Sequence, residues 1–274
     1  MVSPMYVAVS RHQSESVRVL LSEGFSPDAQ DCTHTLGLHS PLFLALSHTP
    51  DKPYSESVRL LVAAGAHMKE EDWFYALATD QTALLQLILE YRWISPPETP
   101  TGSGSVFQRD GKVSFQLQEL RELLCVALEH VHFAPCWLPV LLKAGLQPSL
   151  LLHPHMFDHA DSDALNYLLE FVNWTTLPGG LKIILERRRE EQTWKPWPHF
   201  DTITSLSHMC RLQIRSMLGP DLLMRTSIVQ QLPVPSPLHC FLQFRDIQEP
   251  SYKHSPLSNQ IQRHNNTHQH RHVL

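Results

Sequence analysis

Apolar positions recur along the first two thirds of the chain at helical spacing. In SESVRVLLSEG, residues 14–24, Val17, Leu20 and Leu21 stand at i, i+3 and i+4 and so share one face. The pattern returns as SESVRLLVAAG at residues 55–65, offset by 41 residues at every position. It returns again as LPVLLKAG at 138–145, and more weakly at 85–89 and 165–169. Each copy predicts a short amphipathic helix. Gly24, Gly65 and Gly145 stand where such a helix ends in a left-handed residue, which glycine reaches without a Cβ clash. The third and fifth copies carry Arg92 and Val172 at that place.

A further helix precedes two of these copies. Ser3-Pro4 and Ser40-Pro41 each open an apolar stretch, with serine expected to cap the first N–H groups and proline to occupy the first turn. The unit is therefore helix, turn, helix, glycine stop. One unit cannot bury its own apolar stripe, so units must stack. About five degenerate units are expected over residues 4–173. The chain starts inside the first, which fits a degenerate first repeat or a form lacking upstream repeats. Residues 95–105, SPPETPTGSGS, predict a loop and a candidate binding segment.

The helical pattern changes near the C-terminus. Glu186 to Glu191 reads as a mixed-charge helix surface, and WKPWPHF at 194–200 as a wedge between modules. Then Leu206, Cys210 and Ile214 fall four residues apart, in one narrow stripe widened by Met209, Gln213 and Met217. Gly219-Pro220 ends that helix. Periodicity alone favours a core helix with Cys210 as a small filler. LPVPSPLHCFL follows at 232–242: its prolines predict an extended run presenting Leu232 and Val234. Ser236-Pro237 repeats the capped start, with Leu238, Phe241 and Leu242 on one face.

These features resemble two known modules. SPLFLA at 40–45 and VRLLVAAGA at 58–66 resemble the ankyrin repeat, although Tyr6 and Phe43 stand where it carries histidine. Leu206, Cys210 and Ile214 resemble the BC box of a SOCS box. Leu232, Pro233, Val234, Pro235, Phe241 and Leu242 resemble its cullin box, with Val234 for leucine and Phe241 for tyrosine. Together they resemble the ankyrin repeat and SOCS box family over about residues 4–244. That resemblance implies an all-α fold, an ankyrin solenoid followed by a three-helix SOCS box. It divides the chain into repeats at 1–173, a connecting helix and Trp/Pro linker at 174–201, the SOCS box at 202–244 and a disordered tail at 245–274.

It also implies an adaptor that adds no catalytic residue and no cofactor. Elongin C, with elongin B, would bind Leu206, Met209, Cys210 and Ile214. Cullin-5 with its RING-box protein would bind the proline-rich element, and the repeats would hold a target protein for ubiquitination and degradation. Trp73, Phe74 and Tyr75 are candidates for target contact. The repeat frame sets Phe74 and Tyr75 against Phe43 and Leu44, so a core role competes with that one.

Composition narrows the alternatives. A net charge of −5 with 18% charged residues supplies no bulk attraction for nucleic acid or an anionic membrane. Five cysteines without a CxxC pair suit a reduced, cytoplasmic or nuclear protein, and no leader pattern opens the chain. Eighteen histidines raise the question of a metal. The clusters His153/His155/Asp158/His159/Asp161/Asp163 and His264/His268/His270/His272 read as helix caps and a polar tail, and Cys32-Thr33-His34 lacks a second pair. Two rival classes remain: a non-ligase ankyrin scaffold and, behind it, a metal-dependent enzyme.

Overall fold

The computed structural model describes residues 3–29, 40–47, 56–78, 85, 87, 92–93, 113–114, 117–224 and 229–251. The segment 95–105, Cys32 and His34, and the histidines beyond position 252 lie outside these residues. The fold is all-α. Helices α1 (Pro4–Ser10) and α2 (Ser14–Ser22) form the first pair, α3 (Pro41–Ser47) and α4 (Glu56–Ala63) the second. Then come α5 (Glu70–Ala78), α6 (Leu117–Glu129), α7 (Ala134–Lys143), α8 (Pro154–His159), α9 (Ser162–Leu169) and α10 (Gly179–Glu190). A two-residue parallel ladder pairs β1 (Arg92–Trp93) with β2 (Val113–Ser114). The C-terminal module holds α11 (Leu206–Met224) and α12 (Ser236–Leu242). Among the described residues no single helix is long and apolar enough to cross a membrane.

The helices stack in two rows. α1 packs on α3, α3 on α5 and α5 on α6; α2 packs on α4, and α7 on α9. Val17, Val58 and Leu138, at matching places in three copies, are completely enclosed. α10 packs on α8 and so continues the stack rather than only linking modules. Arg188, expected on a charged surface, is buried instead: its guanidinium donates to the Phe157 carbonyl of α8 at 2.7 Å and to the Thr193 carbonyl at 3.0 Å.

The glycine stops close as expected. Gly24, Gly65 and Gly145 have φ of 83°, 86° and 96°. In each case the next residue's N–H (Phe25, Ala66, Leu146) reaches five positions back, to Leu20, Leu61 and Leu141, at 3.0 Å. These are Schellman ends that satisfy otherwise orphaned carbonyls. Val172, lacking that option, reaches only three positions back, to the Leu169 carbonyl at 3.3 Å. Gln192 closes α10 in the same Schellman way, with φ 57° but a side chain. A left-handed non-glycine residue costs about 1–2 kcal/mol. Gln192→Gly is therefore expected to stabilise the chain by about 1 kcal/mol, read as a higher urea midpoint with unchanged slope.

The serine caps divide. Ser40 Oγ accepts the Phe43 N–H at 2.9 Å and donates to Asp72 at 3.1 Å, joining two repeats. Asp72 also accepts the Lys69 N–H at 2.8 Å. Ser3 makes no cap bond, and Ser236 lies inside α12 with Pro235 as its cap residue, so neither fills the expected role. Burial pushes the Asp72 carboxyl up to about 6, against the two hydrogen bonds that favour its charged form. A carboxyl raised on folding gives stability that is complete below its unfolded value near 4 and is lost as pH rises through about 6. The loss should be about 2–3 kcal/mol. Asp72→Asn should flatten the fall in urea-derived stability between pH 4 and 6.

Candidate functional site

The functional geometry centres on α11. Ser205 Oγ accepts the His208 N–H at 3.2 Å and opens the helix. Gly219, at φ 70° and ψ 172°, breaks it in a region open essentially to glycine alone. Between them the helix has two opposite faces. Leu206 is 77% exposed, Met209 46% and Ile214 42%, with Cys210 and Met217 exposed beside them. The stripe expected from spacing is therefore apolar and uncovered, where a core helix would have hidden it.

The opposite face is buried and basic. Arg215 donates to the Leu242 carbonyl at 2.7 Å and to the Leu142 carbonyl at 2.8 Å, with Lys143's carbonyl at 3.3 Å. It thus ties α11 both to α12 and to the last carbonyls of α7. Burial lowers its pKa to about 10, so it stays charged at neutral pH. Arg211 is 2% exposed: its guanidinium lies 3.4 Å from the Phe244 ring centre and 4.2 Å from Phe241, and it pairs with Asp246 at 2.5 and 3.1 Å. Phe244 in turn stacks on Phe171 at the end of α9, at 3.9 Å. Sequence reasoning missed these anchors; the available signal was two arginines four residues apart, opposite the stripe.

Glu170 completes the joint. It is buried against His199 Nε2, with His208 Nδ1 at 3.8 Å. Burial raises its carboxyl pKa, while the His199 hydrogen bond opposes the shift. Burial, and then the Arg211 charge, lower the His208 pKa. Trp174 packs edge-on to Phe200 at 5.0 Å and donates to the Thr202 carbonyl at 3.0 Å, tying linker to SOCS box, and Trp194 donates to Asn166 at 2.9 Å, tying linker to repeats. Chain order also extends past the expected boundary at 245. Asp246 is held by Arg211 and Glu249 by Lys143, because both acids face cations on the body.

The proline-rich element differs from the extended run expected. The Val234 N–H donates to the Leu232 carbonyl at 2.7 Å, closing a tight turn around Pro233. Leu232 and Val234 are half-buried, Pro233 and Pro235 exposed. Phe241 is half-buried beneath Arg211, and Leu242 is 4% exposed, so Leu242 closes the module's core while Leu238 points outward.

The aromatic run is core-like. Trp73 is completely enclosed, which removes it from any exposed contact surface. Tyr75 meets Phe43 edge-on at 6.2 Å, and Phe74 meets His130 at 4.7 Å, both half-buried. Phe74 and His130 also line a shallow pocket of about 450 Å³ with Glu70 and Glu71, between α5 and α6.

The histidine-rich turn serves the fold. His153 Nδ1 accepts the His155 N–H at 3.2 Å, Asp161 caps α9 at 2.7 Å, and Asp158 pairs with Arg187. Among the described residues no three His, Cys, Asp or Glu side chains converge as metal ligands.

Comparison with known proteins sets this geometry in context. The SOCS box family model matches residues 202–243. Ankyrin repeat and SOCS box protein 3 of Bos taurus is 32% identical over 247 residues, covering 90% of this chain and 43% of that protein. Its Homo sapiens counterpart is 31% identical over 246 residues with the same coverage. The chain thus spans less than half the length of these relatives.

Proposed function

The chain belongs to the ankyrin repeat and SOCS box family, and from that premise we propose that it is a substrate-recognition adaptor of an elongin B/C–cullin-5–RING ubiquitin ligase. The single observation that carries this reading is the uncovered apolar face of α11. Leu206, Met209, Cys210, Ile214 and Met217 stand in solvent while the other face is locked to the repeats. A soluble protein that leaves such a stripe open needs a partner to cover it. Elongin C, paired with elongin B, is that partner. Cullin-5 and its RING-box protein join beside it, at Leu232, Pro233, Val234, Pro235 and the exposed side of Phe241.

The repeats hold a target protein, in the cytoplasm or nucleus, and the ligase delivers ubiquitin to it for degradation. The adaptor contributes proximity: held reactants gain several orders of magnitude in effective concentration. It supplies no catalytic residue. A scaffold without ligase activity is the alternative reading, and it needs no partner on α11.

Co-expression with elongins B and C, followed by gel filtration, separates the two. The adaptor is expected to co-elute with both as one complex. A folded chain that elutes alone would instead favour the scaffold.

A further inference from the structure

We infer that the elongin subunit seated on α11 also contacts the repeat domain, through a groove that borders the same helix. This extends the reading of α11 as the elongin-binding helix and rests on it. The groove holds about 300 Å³ and runs between the end of the repeats and α11. Leu152, Val172, Leu177 and Leu212 give it an apolar lining, and Ser149 and Thr176 stand on its rim. No charged side chain lines it.

The helix geometry connects this groove to the stripe. At about 100° per residue, Cys210 lies about 40° and Ile214 about 80° round from Leu206. Arg211 lies at about 140°, Leu212 at about 240° and Met209 at about 300°. α12 packs on the Arg211 side, since Phe241 sits under that guanidinium. The other shoulder of the stripe is therefore Leu212, whose half-buried side chain lines the groove, with exposed Met209 next to it. A protein covering the stripe from Leu206 to Met217 spans roughly 17 Å along the axis. One that also covers Met209 reaches the rim of the groove.

The lining determines what enters. With no charge to pair with, the groove penalises an ionised side chain and favours an apolar one. The occupant is an apolar projection of elongin C, continuous with its contact on the stripe. The repeat array would then be gripped together with the SOCS box rather than only carried by it.

The test is a calorimetric titration of the full chain with the elongin B–C pair, comparing wild type, Ser149→Arg and Leu206→Asp. Ser149 is exposed and its side chain holds no cap, so the arginine should leave the melting temperature unchanged. It is expected to weaken elongin binding about tenfold. A photo-crosslinking residue placed at position 149 is expected to tag elongin C. Affinity within twofold of wild type, with Leu206→Asp still abolishing binding, would overturn the groove contact, whether or not the crosslink forms. If the wild type binds no elongin, or Leu206→Asp changes nothing, the reading of α11 itself fails and the groove contact falls with it.

Discussion

Replacing Leu206 by Asp and Cys210 by Phe together is expected to abolish co-elution with elongins B and C while leaving the chain as stable as wild type. Both side chains are exposed, so neither change opens a cavity or overpacks a core. The aspartate puts a charge where an apolar side chain must be desolvated, and the phenylalanine removes the close approach that a small thiol permits. A central contact of this kind contributes about 2 kcal/mol or more, so two acting additively should weaken binding by about a thousandfold. Gel filtration reads the loss, and a thermal melt reads the fold. The scaffold reading would make Cys210 a core filler whose enlargement costs about 1–3 kcal/mol. A large fall in melting temperature would therefore count against the adaptor. So would a double variant that still co-elutes with the elongins.

That stripe was legible in the sequence because a helix repeats itself locally. Leu206, Cys210 and Ile214 need only their own spacing to be placed on one face. The same holds for Gly24, Gly65 and Gly145, whose positive φ follows from the end of a helix and not from any distant contact. What spacing cannot tell is which side of a helix is covered. α11 carries an apolar stripe and two arginines, and local reasoning buries the first and solvates the second. The fold does the reverse, because Arg215 meets a carbonyl of Leu142, 73 positions earlier in the chain. Arg188 was misplaced for the same reason, its acceptor lying on α8.

The cap positions show a finer limit. Ser3, Ser40 and Ser236 share a Ser-Pro signature, yet only Ser40 caps a helix, with Asp72 of the next repeat holding its hydroxyl. The proline element likewise turns at Pro233 where alternating prolines alone suggested an extended run. The enclosed Trp73 is a different case: the repeat alignment favoured a core role for this aromatic run, and residue composition alone suggested an interface.

Arg215→Met should cost about 2–4 kcal/mol and loosen the joint between repeats and SOCS box. Methionine keeps much of the length and the apolar stem, so the cavity left is small. What disappears is the donor set for the Leu242, Leu142 and Lys143 carbonyls. A buried acceptor stripped of its partner costs about 1–3 kcal/mol; the Leu242 carbonyl is left so, whereas the Leu142 carbonyl keeps the Gly145 N–H at 3.1 Å. The change is partly offset, because the guanidinium was itself costly to bury, as its lowered pKa records. The sum remains destabilising because the Leu242 carbonyl stays buried without a donor. Arg245→Met, at an exposed position nearby, provides the control. Urea unfolding should show the Arg215 variant well below wild type and the Arg245 variant within about 0.5 kcal/mol of it. Limited proteolysis should cut the Arg215 variant faster than wild type just before α11, where the chain passes from the linker into the SOCS box; Trp194 and Lys195 stay tied to Asn166. Equal stability of the two variants would mean that the other contacts, Phe244 stacked on Phe171 and Glu170 beside His199 and His208 among them, hold the joint, and that the arginine is a bystander.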